Sequence, residues 1–252
     1  LGVLSISIPF PEIKNTNNYM KKEIVTTENE IIKILNEFGI TKPILEEASK
    51  MDINVPMLFY DKIINNPSAE NIDNVTKNLL GVYGNYLATH YFKMQGYDVE
   101  NEVGVYDNGN LLTRADISFI DSNGIRNYCE VKAAYQIIDN IRNYKDNSLE
   151  KTGYYKNLDA EIIKYKKIGE KLIKQVKKLS KDGSLVNVII FDGCYMDEII
   201  KQELKKLGAN LITLNVNIYD LEENIKKNVL RILSYFSKNV TTNIDCKGKK
   251  NR

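Results

Sequence analysis

The sequence is poor in the residues that several familiar kinds of site require. It has one histidine and three cysteines in 252 residues. A lone histidine without clustered cysteines excludes the usual zinc-ligand spacings. The cysteines are scattered and odd in number, at Cys129, Cys194 and Cys246, so the sequence predicts no disulfide framework. This cysteine usage suits a reducing cytosol and favours a cytoplasmic protein.

Long apolar runs and a strong net charge are also absent. No run approaches the roughly eighteen apolar residues of a membrane span, so we expect no membrane partner. A net charge of +2 is too small to indicate nucleic-acid binding by itself. With 43% apolar and 27% charged residues, the composition is that of an ordinary globular protein rather than a disordered one.

The order of patterns along the chain predicts four segments. Residues 1–25 are expected to be poorly packed, and residues 26–70 form a small N-terminal helical module. We interpret that module as a packing cap rather than a helix-turn-helix, because none of its helices is basic on one face. Residues 71–237 form the core, and residues 238–252 form a disordered basic tail.

Helical and strand patterns alternate within the core. A long helix, three strands in a meander, and then helix–strand pairs predict an α/β fold with a mixed sheet flanked by helices. A polar segment, Ile137–Gly153, is expected to form a loop over the site. The predicted elements are Asn71–Gln95, Asp98–Tyr106, Ala115–Ile120, Asn127–Ala133, Leu158–Leu179, Leu185–Asp192, Asp197–Leu207, Leu211–Val216 and Tyr219–Ser237.

The stretch Leu111–Gln136 carries the most informative pattern. Two short β-type runs flank the turn Asp121-Ser122-Asn123-Gly124, which is rich in turn-forming residues. Glu130 and Lys132 are two residues apart, so their side chains share one face of a strand. If the two runs pair as a hairpin, Asp116 comes to the same face. The sequence thus predicts an aspartate, a glutamate and a lysine at one sheet edge.

This trio suits metal-assisted cleavage of phosphodiester bonds. Carboxylates are hard oxygen ligands, and Mg²⁺ binds through one or two of them together with substrate phosphate. The metal polarises the phosphate and lowers the pKa of a bound water molecule. Lys132 would lie near the attacking water or the negative charge that develops on the phosphate. A paired Glu and Lys on a solvated hairpin face is the plainer alternative.

The pattern Asp116…Glu130-Val131-Lys132 resembles the signature of the PD-(D/E)XK nuclease superfamily, which has the restriction-endonuclease-like fold. Ala115 stands where members often have proline. The segment from Gly84 to Tyr97 resembles the opening helix of that fold, which usually ends in Gly-Tyr before the first core strand. The resemblance covers roughly residues 82–216.

The resemblance implies an endonuclease that uses Mg²⁺, with Mn²⁺ as a substitute, and acts on DNA more readily than on RNA. Asp116 and Glu130 would bind the metal, and Lys132 would complete the catalytic set. Asn85 stands where the opening helix often carries a glutamate ligand, and it offers a carbonyl oxygen but no charge. From its position just after the motif, Gln136, or alternatively Tyr135, is expected to contact substrate or orient the attacking water.

Lysines concentrate on the helix Leu158–Leu179. They lie between the apolar residues of the helix and are accompanied by few acids. Such lysines bind the phosphate backbone of nucleic acid regardless of sequence, although a solvated helix face is an equally good interpretation. The residues predicted to bind nucleic acid are Lys164, Lys167, Lys171, Lys174 and Lys178.

Four functions remain open at this stage. The first is a restriction- or repair-type endonuclease, and many such enzymes form a homodimer. The second is a nuclease toxin acting on DNA or tRNA, which would be encoded beside an immunity protein. The third is a catalytically degenerate module that only binds nucleic acid. The fourth is a structural or regulatory protein in which the Glu-x-Lys hairpin is accidental.

Overall fold

The computed structural model describes residues 28–139 and 158–248. The predictions for residues 1–25, and for most of the polar segment Ile137–Gly153, lie outside this range. The helices are α1 (Glu28–Glu37), α2 (Lys42–Lys50), α3 (Val55–Phe59), α4 (Ala69–Met94), α5 (Leu158–Leu179), α6 (Glu198–Lys206) and α7 (Ile218–Gly248). The strands are β1 (Val99–Asp107), β2 (Asn110–Ile120), β3 (Arg126–Val131), β4 (Gln136–Ile137), β5 (Leu185–Asp192), β6 (Tyr195–Met196) and β7 (Asn210–Asn217).

The described residues divide into two compact units, one comprising residues 28–83 and 220–248 and the other residues 84–139 and 158–219. The division falls inside α4 and near the start of α7. The last helix also extends to Gly248, which is well beyond the predicted end at Ser237.

The first unit is helical in its described part. Asn54 caps α3 by accepting a hydrogen bond from the Met57 N–H at 2.9 Å, and a π-helical turn, Tyr60–Ile64, follows directly. Gly39 ends α1 with a φ of 88°, a conformation that glycine adopts without steric cost. The fully buried residues of the first unit include Leu35, Phe59, Ile63 and Leu79.

The second unit contains a five-stranded mixed sheet with the order β1-β2-β3-β5-β7. The strands β1, β2 and β3 form an antiparallel meander, whereas β5 and β7 run parallel to β3. The turn between β1 and β2 uses Asn108 and Gly109, both with positive φ, as an Asn-Gly pair predicts for a tight hairpin. The predicted mixed α/β fold, with a sheet flanked by helices, is therefore confirmed.

Helices cover the two faces of this sheet. The second half of α4 packs on one face, where the Phe92 ring lies 4.6 Å from that of Phe119. On the other face, α5 contributes Leu172, Val176 and Leu179 to a buried cluster with Tyr128, Val186 and Val188 of the sheet. Because side chains alternate along a strand, Ile117 and Phe119 face α4, whereas Asp116 and Glu130 face α5.

A second, two-stranded sheet was not predicted. It pairs Gln136 with Tyr195 and Ile137 with Met196 in parallel. Ile137 and Ile138 are fully buried, so the beginning of the segment predicted as a loop is packed into the core. No helix in the described ranges is long and apolar enough to cross a membrane.

Candidate active site

The predicted hairpin forms and brings Asp116 and Glu130 together. Strands β2 and β3 pair antiparallel from Ile120 opposite Arg126 to Ile117 opposite Cys129. One residue further along each strand, Asp116 therefore lies opposite Glu130. Side chains directly opposite each other on antiparallel strands project from the same face, so the two carboxylates share the face covered by α5.

The two strands separate just beyond this pair. Strand β3 stays with β5, where the Lys132 N–H donates to the Ile189 carbonyl at 2.9 Å. Strand β2 stays with β1, where Ala115 pairs with Val103. The Val131 N–H donates instead to Oδ2 of Asp116 at 2.7 Å. The Asp116 side chain thus replaces the backbone acceptor that the Val131 N–H loses where the strands separate. The hydrogen bond from Val131 holds the Asp116 carboxylate beside Glu130.

Lys132 completes the predicted trio through a direct contact. Its Nζ forms an ion pair and hydrogen bond with Oε1 of Glu130. Glu130 is fully buried, whereas Lys132 is 17% exposed. The second oxygen, Oε2, is also buried and has no hydrogen-bond partner within residues 28–139 and 158–248. A buried acceptor left without a donor is unfavourable, so this oxygen is poised to receive a cation or a proton.

Burial dominates the electrostatics of the carboxylate pair. It raises the pKa of Glu130 to about 7; the Lys132 charge opposes that rise and the Asp116 charge adds to it. Burial also raises the pKa of Asp116, against the opposing effects of Lys132 and the Val131 hydrogen bond. Two carboxylates so close together disfavour each other's charge, and a bound cation would relieve this repulsion.

These donors fit a hard divalent cation. Mg²⁺ retains several waters and needs only one or two protein carboxylates, which Asp116 and Glu130 supply. In the described part of the chain, no three His, Cys, Asp or Glu side chains form a group that could hold a metal. The donor set is therefore this pair, with the unpartnered Oε2 of Glu130 as its most available atom.

The first strand of the meander is distorted at the same level. In β1, Asn101 pairs with Ile117 and Val103 with Ala115, so Glu102 lies opposite Asp116. Glu102 has a φ of 54°, in the left-handed region that non-glycine residues rarely adopt. Strained backbone of this kind concentrates at functional sites. Glutamate has no preference for this conformation, so no sequence signal could have predicted it.

Asn85 and Gln136 are both buried. Asn85 follows Gly84, whose Cα is so close to Ala133 that an added Cβ would lie 3.0 Å from the Ala133 Cβ. Its side chain is 3% exposed, and its Nδ2 has no hydrogen-bond partner among the residues described. Gln136 lies in β4 and is fully buried. The structure joins Asp116, Glu130 and Lys132; the roles of Asn85 and Gln136 stay predictions.

The five predicted nucleic-acid-binding lysines form one stripe along α5. Alternating spacings of three and four residues keep them on one side of the helix. Their surroundings differ, however. Lys178 donates to the Leu112 carbonyl at 3.0 Å, and the Lys164 amine lies 5.8 Å from the centre of the Tyr165 ring. The charge of Lys171 acts on both Asp116 and Glu130. Their function in nucleic-acid binding stays a prediction.

Comparison with known proteins adds no relative: no family model, no curated protein and no solved structure matches the chain.

Proposed function

We propose that this protein is a metal-dependent endonuclease that hydrolyses phosphodiester bonds, with DNA as the favoured substrate. The observation that carries the proposal is Glu130. It is fully buried and bound through one oxygen to Lys132, and it keeps a second buried oxygen without a hydrogen-bond partner in the described part of the chain. A structural ion pair would gain by satisfying that oxygen, whereas a ligand for a cation must keep it available.

The order of elements supports assignment to the PD-(D/E)XK superfamily. A helix, a three-stranded meander, a second helix and a parallel strand follow one another, with the acidic pair on the second and third strands. This is the arrangement expected from the resemblance of Asp116…Glu130-Val131-Lys132 to the superfamily signature. The preference for DNA rests on that resemblance alone.

The three side chains have distinct roles in the proposed reaction. Asp116 and Glu130 hold the cation, and the Val131 N–H keeps the Asp116 carboxylate in place. A bound Mg²⁺ would supply polarisation of the phosphate and a water molecule of lowered pKa. Lys132 orients the attacking water and stabilises the negative charge on the phosphate in the transition state.

The test is cleavage of plasmid, single-stranded DNA and total RNA with Mg²⁺, with Mn²⁺ and with chelator. Glu130→Ala and Lys132→Ala are compared with Glu203→Ala and Lys206→Ala, which break an exposed ion pair of the same chemistry on α6. We expect metal-dependent cutting that falls about a thousandfold in the first two variants and persists in the controls. Cutting that survives Glu130→Ala would contradict the proposed site.

A second candidate function is nucleic-acid binding without catalysis. It is favoured by Asn85, a neutral residue where the resembled helix often carries a glutamate, and by the absence of a third acidic ligand in the described ranges. The same panel separates the two functions. Retained gel-shift binding with no cutting under any metal condition would support the binding module.

A further inference from the structure

The path of α5 over the sheet places one lysine of the stripe at the carboxylate pair. Lys178 is fixed to the Leu112 carbonyl of β2. From Lys178 back to Lys171 the helix rises about 10 Å, and from Leu112 forward to Asp116 the strand advances about 13 Å. Leu172 and Ala115, the neighbours of these two residues, share one buried cluster. Lys171 is therefore at about the level of Asp116 along β2.

The electrostatics agree with this position. Burial raises the pKa of both Asp116 and Glu130, and the positive charge of Lys171, after that of Lys132, opposes the rise at both carboxyls. This contribution is the smallest of those acting on either carboxyl, and it agrees with a lysine at the level of the pair.

Lys171 differs from Lys132 in what it binds. The amine of Lys132 is held by Glu130, whereas Lys171 is exposed and makes no hydrogen bond or ion pair with any described residue. One turn further along α5, Oε1 of Gln175 is buried and likewise lacks a partner in that part of the chain. Beside the acidic pair, the helix thus presents a free cation and a free acceptor.

We propose that Lys171 binds the scissile phosphate, while Lys167 and Lys174 bind the phosphates on either side of it. This inference rests on the proposed nuclease function and adds a residue to its site. Beside two carboxylates, a phosphate anion gains a further cation from a lysine that is not already paired, and within the described ranges Lys171 is such a lysine. Along the helix, Lys167 lies about 6 Å before Lys171 and Lys174 about 4.5 Å after it, so the bound strand continues in both directions.

The same argument gives the other lysines different roles. Lys178 holds α5 to the backbone of β2 and has a structural role. Lys177 is exposed on the same helix but lies six residues from Lys171, about 120° around the axis. It therefore provides a matched control for the loss of one exposed lysine from α5.

The experiment measures single-turnover cleavage with Mg²⁺, and binding of a 20-base-pair duplex and a 20-nucleotide single strand in chelator. Lys171→Ala should lower the cleavage rate about a hundredfold with less than a fivefold change in Kd, and Lys171→Arg should restore most of the rate. Lys167→Ala and Lys174→Ala should each weaken binding. Each should also reduce the slope of log K against log salt concentration by about one unit. Lys177→Ala should change neither quantity.

The outcomes distinguish a failure of this inference from a failure of the proposed nuclease function. If the wild type cuts and Lys171→Ala cuts as fast as Lys177→Ala, Lys171 is not at the reaction centre and the inference is wrong. If the wild type binds but cuts no substrate, the proposed function fails. In that case an unchanged salt slope in Lys167→Ala and Lys174→Ala would also overturn the assignment of the flanking phosphates.

Discussion

The two ends of the β2–β3 hairpin use acidic residues in opposite ways. The closed end is the turn at Asp121, and the open end is where the strands separate beyond Asp116 and Glu130. At the closed end, Oδ1 of Asp121 accepts hydrogen bonds from the N–H groups of Asn123 and Ile125, at 2.9 and 3.0 Å. Its Oδ2 accepts from the Asn127 amide at 3.3 Å. At the open end, by contrast, Glu130 has one oxygen on Lys132 and one without a partner in the described ranges.

The pKa values of these acids shift in opposite directions. The hydrogen bond from Ile125 is the main reason that the pKa of Asp121 lies below its ordinary value. Burial is the main reason that the pKa of Glu130 rises to about 7. An acid surrounded by donors stabilises a turn, whereas a buried acid with too few donors is available for a ligand.

The largest expected effect is on metal-dependent cleavage and comes from removing a carboxylate charge at the open end. Asp116→Asn keeps an oxygen that can accept from the Val131 N–H but removes the charge. We expect metal-dependent cleavage to fall at least a hundredfold, because a neutral amide is a poor ligand for Mg²⁺. Asp121→Asn makes the same change at the closed end and should leave the cleavage rate within about twofold. Equal losses in both variants would mean that the change acts through folding.

The second prediction concerns stability against pH without divalent cations. Glu130 has a pKa of about 7 in the folded protein against an ordinary value of 4.5, so the folded state binds its proton more tightly. This contribution to stability is complete below about pH 4.5 and is lost as the pH rises to about 7. Relative to Glu130→Gln, the wild type should lose a few kcal/mol between pH 4 and pH 8. Denaturant unfolding at each pH measures the difference, and parallel curves would contradict it.

The closed end should show the opposite pH dependence with a smaller amplitude. Because the pKa of Asp121 is lowered in the folded protein, its contribution is present above the ordinary value of 3.8 and is lost as the pH falls through the lowered pKa. Asp121→Ala should therefore lower the Tm by a few degrees at pH 7 and have less effect near pH 2.5. Thermal unfolding at the two pH values tests this, and an equal loss at both would refute it.

The smallest effect is expected at Glu102, whose backbone lies at the level of Asp116 in β1. Its left-handed conformation costs about 1 kcal/mol in a residue with a Cβ. Glu102→Gly should remove that strain and stabilise the fold by about this amount, whereas Glu102→Val should destabilise it. Chemical denaturation of the two variants measures the difference. Destabilisation by both substitutions would show that the Glu102 side chain, and not its backbone, stabilises the fold.

Local patterns were sufficient to predict most of the second unit. The helix Leu158–Leu179 and the strand Leu185–Asp192 occur with the predicted bounds, because apolar periodicity and flanking glycine mark them clearly. The Asn108-Gly109 turn followed from its composition. The convergence of Asp116 with Glu130 followed from the two-residue alternation of side chains along strands.

The remaining features depend on contacts that are distant in sequence. Beyond Asp116 and Glu130, β2 continues beside β1 and β3 continues beside β5, and neither pairing is visible in the hairpin itself. Lys178 and Lys171 look equivalent in the sequence, yet Lys178 binds the Leu112 carbonyl, whereas the charge of Lys171 acts on Asp116 and Glu130. Gln136 was predicted from its proximity to the motif, whereas its strand pairs with β6, about sixty residues later.

Binding of Mn²⁺, measured by calorimetry at pH 8, is the most direct test of whether the open end holds a cation. We predict that wild type and Asp121→Asn bind one Mn²⁺ per chain with the same affinity. Asp116→Asn and Glu130→Gln should bind at least about tenfold more weakly, because each loses one of only two carboxylate ligands. Unchanged affinity in Glu130→Gln would contradict the proposal that this buried pair is the metal site.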